Sequence, residues 1–139
     1  MVPHGNPKNI RDWAGIAHQK GKYVNRQKGS GTRILCDCLL KKENIHLSEV
    51  IDYEREEYTH TGVAAIIAAG SADVGLGIYA AAKIYGLDFI PICEEQYDLL
   101  IDNKALETEQ VKRFLLVLAS EAFQLRLTQM GGYTWNFRM

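Results

Sequence analysis

The chain has 139 residues, 47% hydrophobic and 24% charged, with 16 Lys and Arg against 17 Asp and Glu for a formal charge of -1. That size and composition suit one globular domain with its own core. The balanced charge excludes the large basic excess of a general nucleic-acid or membrane-surface binder, so no direct nucleic-acid partner and no membrane partner is expected.

Read from the start, MVPHGNPKNI has no apolar core of the kind a signal peptide needs, and no later run reaches the ~18 apolar residues of a membrane span. Lys22 to Asn25 reads as a short strand, and Ile34, Leu35, Cys38 and Leu39 then recur at helical spacing. Val50 to Tyr53 reads as a second strand, followed by an acidic loop and a small apolar helix from Thr61 to Ala69 that ends at Gly70. Ala72 to Gly77 is a third strand, and Ile78 to Tyr85 a helix stopped at Gly86. Phe89 to Cys93 is a fourth strand, placed at an edge or crossover by Pro91. The order βαβαβαβ is that of a parallel α/β sheet. Beyond it, Tyr97 to Ile101 reads as a further strand. Glu107 to Met130 reads as one long helix or a broken pair, started at Thr108 and stopped at Gly131-Gly132. The tail YTWNFRM carries aromatic side chains that need a surface to pack on.

The three cysteines, Cys36, Cys38 and Cys93, are odd in number and lack the second ligand pair of a structural zinc site. They are expected to be free thiols in a reducing cytoplasm, with no metal and no cofactor. On a helix, Cys36 and Cys38 would point to different faces. Glu94-Glu95 and the cluster Glu54, Glu56 and Glu57 both suit a solvated surface better than acid–base chemistry. No Ser-His-Asp or Cys-His set can be assembled, so a binding module is expected rather than an enzyme.

The stretch VNRQKGSGTR, residues 24–33, places Gly29, Ser30, Gly31 and Thr32 where a helix must begin. Helix starts expose unpaired N–H groups at the positive end of the dipole, and glycines let an anion approach them. Between Lys20 and Arg33 there are five cations and no acid, a linear pattern that favours an oxyanion. The plainer alternative is that Ser30 or Thr32 only caps the helix. A nucleotide P-loop is excluded because Lys28 precedes Gly29 and Ser30 rather than following the second glycine. GLGIYA, Gly75 to Ala80, matches a dinucleotide fingerprint, with Glu94 and Glu95 near the acidic spacing. It follows the third strand, however, where tight strand-to-helix packing explains the glycines as well.

NRQKGSGTR, HTGVAAIIAAGSADVGLGI and AAKIYGLDFIPICEEQYDLLI, in that order, resemble the periplasmic-binding-protein-like domain attached to molybdopterin-biosynthesis proteins of the molybdenum-insertase type. That domain is itself similar to the substrate-binding domain of LysR-type regulators. The resemblance runs from Gly5 to Gly132. It implies a type II binding-protein fold of two α/β lobes with the ligand between them. Residues of about 8–95 would form the second lobe, and about 96–139 a segment returning to the first, within a single domain spanning 1–139. The resemblance also implies that VPHGNPKNI lies at the crossing between lobes, leaving about 80 residues of first lobe outside this chain by ordinary domain sizes. A homo-oligomer, or a first lobe or fused domain supplied from elsewhere, is then expected to cover the returning segment.

Carried onto this chain, the resemblance assigns Asn25, Arg26 and Gly29, Ser30, Gly31, Thr32 and Arg33 to the main cradle for a small anionic ligand such as molybdate or tungstate. His60, Thr61, Asp73, Gly75 and Gly77 are secondary contacts, with His60 equally a polar helix-start residue. The implied roles are an oxyanion sensor or carrier linked to molybdenum-cofactor biosynthesis or molybdate-responsive regulation, the effector lobe of a LysR-like regulator binding a small organic anion or pterin, or an accessory domain of a molybdopterin-biosynthesis enzyme.

Overall fold

In the computed structural model, which describes residues 1–136, all four residues of strand β1 (Tyr23–Arg26) are buried. They run up the middle of a parallel sheet between β2 (Glu56–Glu57) and β3 (Val74–Gly75), in the order β2-β1-β3. Asn25 registers with Glu56, and Tyr23 with Val74. Parallel neighbours require helical crossovers that cover both faces of the sheet. Helices α2 (Gly31–Lys42) and α3 (His60–Ala68) provide them.

The two-residue alternation of a strand divides β1 between two cores. Tyr23 packs in one with Cys36 and Leu40 of α2, and Val24 packs in the other with Val63, Ala64 and Ile67 of α3. Ala81 and Ala82 of α4 (Tyr79–Ile84) join the second core. Gly75 is fixed by this packing. A Cβ there would lie 2.6 Å from Val63 Cγ1 and 2.8 Å from the Val24 carbonyl, so any side chain would push α3 off the strands.

The described fold is α/β with a small parallel sheet, and it departs from the sequence reading at the edges. The first and third strands shift or shorten to Tyr23–Arg26 and Val74–Gly75. Val50–Tyr53 is not a strand. Asp52 takes a left-handed φ of +62°, and turns close from Val50 O to Tyr53 N and from Asp52 O to Arg55 N. The β1 amides of Tyr23 and Asn25, and that of Gln27 just beyond the strand, therefore bond to the carbonyls of Ile51, Arg55 and Glu57. Four residues face two across the first step, and regular pairing begins only at Glu56.

Phe89–Cys93 is not a strand either. Its neighbour Asp88 makes an isolated antiparallel bridge with Val2, and Pro91 lacks the N–H to extend it. On the other side of that bridge, the Met1 ammonium donates to Gly75 O at 2.9 Å and Gly75 N donates to Met1 O at 3.2 Å. The amino-terminal residues thus lie between β3 and residue 88. One helix, α1 (Trp13–His18), has no counterpart in the sequence reading. Its signals are an Asp12 N-cap, whose carboxylate accepts from Gly15 N at 2.6 Å, and Trp13 and Ile16 three residues apart, both in the first core.

These elements form one compact unit, Met1–Pro91, and Ile92–Met139 forms a second. In the second unit, Tyr97–Ile101 is irregular rather than a strand, with Tyr97 and Leu100 exposed. The long helical pattern resolves into α5 (Glu109–Ala119) and α6 (Glu121–Met130). Ser120 breaks it by capping α6, its hydroxyl accepting from Phe123 N. Trp135 of the aromatic tail packs edge-on against Phe123, with ring centroids 5.2 Å apart; Phe137 lies outside the described residues. No helix among the described residues is long and apolar enough to cross a membrane.

Candidate functional site

The carboxyl ends of β1 and β3 carry most of the residues singled out from the sequence, because crossovers in a parallel sheet start there. After Arg26 the chain turns through Gly29, whose φ of +86° a side chain would strain, and enters α2. Ser30 caps that helix, its hydroxyl accepting from Arg33 N at 3.1 Å. The capping alternative for Ser30 is therefore realised. The N–H groups of Gly31 and Thr32 in the same first turn have no partner among the described residues.

The two arginines that flank this turn differ in their charge environment. Arg33 is 4% exposed and sits in a built ion cluster. Its Nε donates to Tyr53 Oη at 3.1 Å, its Nη1 to Glu56 Oε1 at 3.3 Å, and its guanidinium carbon lies 4.2 Å from the Tyr53 ring centroid. Asp37 stands 3.4 Å from Nε and also accepts from Tyr53 Oη. Burial, together with that bond to Asp37, pushes the Tyr53 phenol up to about 12. Lys28 pairs with Glu54 at 3.3 Å. The run of cations without an acid, so plain in the linear sequence, is thus met in space by the 54–57 loop.

Arg26 has no such partner. It is 9% exposed, and no carboxylate among the described residues lies within 4 Å of it. Three of its N–H bonds go to uncharged acceptors: Nε to Gln27 Oε1 at 3.3 Å, Nη1 to His60 Nδ1 at 2.9 Å, and Nη2 to Tyr58 O at 3.0 Å. A guanidinium has five N–H bonds, so one on each Nη remains available. Because a guanidinium can only donate, Nδ1 must accept, and the neutral His60 ring carries its proton on Nε2. Burial, and then the Arg26 charge, hold the His60 imidazole below its ordinary range.

Around this pair the backbone comes close. A Cβ on Gly77 would lie 2.4 Å from Met1 Cε and 3.4 Å from His60 Nδ1, so Gly77 lets the Met1 side chain and His60 share the space. Thr61 is exposed in the first turn of α3, its hydroxyl bonded to that of the cap residue Thr59 at 3.3 Å. Glu57 already lies at that end of α3. Its carboxylate accepts from Tyr58 N at 2.8 Å and occupies the space a Gly62 side chain would need. The positive end of α3 is therefore partly answered from within the chain, while the Arg26 guanidinium has no carboxylate beside it.

Three sequence-selected residues have other work. The Asn25 amide donates to Tyr53 O at 3.2 Å, and its carbonyl accepts from Arg26 N at 3.0 Å, which ties the kinked edge to β1. Gly75 serves the packing of α3. Asp73 sits at the opposite, amino end of β3, where its carboxylate accepts from Lys22 N at 2.8 Å and pairs with Lys8 at 3.0 Å. Burial alone would raise its carboxyl, but the Lys22 N–H and the Lys8 ammonium outweigh it and hold the group below the ordinary range. Gln27, the Tyr58 carbonyl and Met1 join the site without any sequence signal, since a carbonyl and a thioether leave no signature in a motif.

No group of three His, Cys, Asp or Glu among the described residues could hold a metal ion. The thiols are unpaired, Cys36 buried against the Tyr23 hydroxyl at 3.3 Å, Cys38 and Cys93 exposed.

A family profile described as a PBP superfamily domain matches residues 1–119. The chain is 34% identical over 132 residues to the uncharacterized protein YvgK of Bacillus subtilis (strain 168), covering 95% of this chain and 42% of that protein. It thus spans less than half the length of that relative. It is 30% identical over 101 residues to an uncharacterized protein in the ferredoxin 2Fe-2S gene 5'region of Clostridium pasteurianum, covering 72% of this chain and 89% of that protein. No solved structure matches.

Proposed function

The chain belongs to the PBP superfamily, and from that premise we propose that it is a binding module, not an enzyme, whose ligand is a small oxyanion of the molybdate or tungstate type held by Arg26. The observation that carries this reading is the buried Arg26 guanidinium with only neutral acceptors around it. An unpaired buried charge is costly, and an anion at the two free N–H bonds would supply the missing counter-charge with charge-assisted hydrogen bonds. His60 Nε2–H and the N–H groups of Gly31 and Thr32 are the further donors at this end of the sheet. In this reading Arg33, Asn25 and Asp73 support the site without touching the ligand. The role is in molybdenum-cofactor biosynthesis or molybdate-responsive regulation, in the cytoplasm. Calorimetric titration with molybdate, tungstate, sulfate and phosphate tests it. Heat of binding to at least one of them, competed by the others, is expected, and silence from all four would refute the reading.

The same proposal makes unit 1 the second lobe of a two-lobed domain, with the segment VPHGNPKNI, residues 2–10, at the crossing between lobes. The second unit, from Ile92, would be the segment that packs on the first lobe. Its exposed apolar side chains favour this, among them Leu116 and Val117 on α5 and Leu125 on α6. Leu115, Leu116 and Ala119 also line a groove on α5 beside Lys112. Such surface is usually covered. Alone in solution, the chain is expected to cover it with a second copy. Light scattering should then give a mass above 15.7 kDa that falls toward the monomer when Leu116 and Val117 are changed to Ser and Thr. A monomer at every concentration would remove the lobe assignment of unit 2.

A further inference from the structure

The Arg26–His60 contact has a property that a simple anion pocket does not need. The donor is a permanent cation and the acceptor is the one side chain whose ordinary titration falls near neutrality. Nδ1 can accept from Arg26 only while its lone pair is free. A proton on Nδ1 would set two cations 2.9 Å apart and take away one of the few acceptors Arg26 has.

We propose, building on the oxyanion reading above, that this pair couples anion binding to the uptake of one proton by His60. An anion held at the free N–H bonds of Arg26 screens its charge and draws the guanidinium away from His60, which releases the Nδ1 lone pair. Nδ1 then takes a proton from solvent, and the imidazolium presents a second N–H to the same anion. A doubly charged oxyanion is thereby met by two positive charges, one permanent and one recruited.

The groups packed around His60 fit this coupling. From β1 comes Arg26, which opposes protonation until the anion screens it. Glu57, at the end of β2, forms no ion pair with His60 or Arg26 among the described residues, its carboxylate being bonded to Tyr58 N. From the amino-terminal segment comes Met1, whose side chain shares the Gly77 space with His60. Its ammonium, bound to Gly75 O, is pushed down to about 6 by burial. On α4 the titratable groups are Tyr79, packed edge-on to Phe89, and the exposed Lys83.

The sign follows from linkage. In the free protein His60 lies below its ordinary range and is neutral at pH 7. With the anion bound, its proton is held more tightly. Affinity is therefore highest below the free-state value, declines as pH rises from the free-state to the bound-state value, and levels off above it.

Sulfate is the probe because it keeps its charge across this window, with molybdate run in parallel. Sulfate affinity is expected to rise about tenfold from pH 8 to pH 5.5, the gain that follows when a single group holds its proton about ten times more tightly in the complex. Calorimetry in buffers of different ionisation enthalpy should find up to one proton absorbed per anion, and the His60 imidazole resonance should titrate at higher pH with sulfate than without. His60→Asn keeps a neutral acceptor at the place of Nδ1 and should bind with the weaker, pH-independent affinity of the native chain at pH 8. If binding requires Arg26 but is flat with pH, or if His60→Asn keeps the slope, the coupling is wrong while the oxyanion reading stands. A slope retained in His60→Asn would place the proton on a group other than His60. If neither anion binds at any pH, both fall together.

Discussion

Replacing Arg26 by Gln is expected to weaken oxyanion binding by about 30-fold or more, because removing one side of a buried, hydrogen-bonded charge pair costs about 2–5 kcal/mol and each ~1.4 kcal/mol is tenfold. The loss should come without a large change in folding stability. Arg26 has no acid to strand, so its removal frees only neutral acceptors: the Tyr58 carbonyl, Gln27 and His60 Nδ1. A shorter amide can still donate toward one of them. Against their lost bonds stands relief from burying a guanidinium without a counter-charge, and the net is expected to lie within about 1.5 kcal/mol of zero. Titration calorimetry reads the first number and urea unfolding the second. A variant that unfolds at much lower urea would show that Arg26 is a structural residue.

Arg33→Met is the converse case and should destabilise unit 1 by about 3–4 kcal/mol, since breaking a buried ion cluster leaves its other members uncompensated. Tyr53 Oη, Glu56 and the Arg26 carbonyl each lose a donor, and the Tyr53 ring loses the cation stacked on it. Glu54 and Asp37 are largely open to water and suffer less. The damage falls on the join between β1 and β2, so Trp13, buried in the core with Tyr53, is the natural fluorescent reporter. The urea midpoint should move with an unchanged slope. A midpoint within the error of the native chain would mean that the acids around Arg33 contribute nothing to holding that edge.

The contrast between these two arginines also marks how far the sequence alone can be read. Hydrophobic period and stop residues are enough to find α2, α3 and α4 and the strands before two of them, because those features are local. The edge strand is misplaced by a few residues because a left-handed Asp52 is compatible with the apolar pattern of Val50–Tyr53 yet turns the chain. Tyr97–Ile101 has the composition of a strand but no neighbour to pair with among the described residues. The run from Lys20 to Arg33 suggests an electropositive loop, and nothing in the linear order says that Glu54 and Glu56 fold back onto Lys28 and Arg33 while missing Arg26. Which cation stays unanswered is a three-dimensional property. Gly77 illustrates the same limit: in the sequence it looks like part of a phosphate fingerprint, whereas its lack of a side chain makes room for Met1 and His60.

The isolated bridge between Val2 and Asp88 is held by two backbone hydrogen bonds, each 3.0 Å long. The Asp88 carboxylate adds His4 at 3.1 Å and the Gly5 amide at 2.8 Å. Residues 2–5 are therefore fastened to residue 88 by one backbone bridge and one aspartate. Asp88 thus stitches down a segment 83 and 84 residues away in sequence, and the place of the amino-terminal residues beside β3 depends on a side chain that no local pattern around them announces.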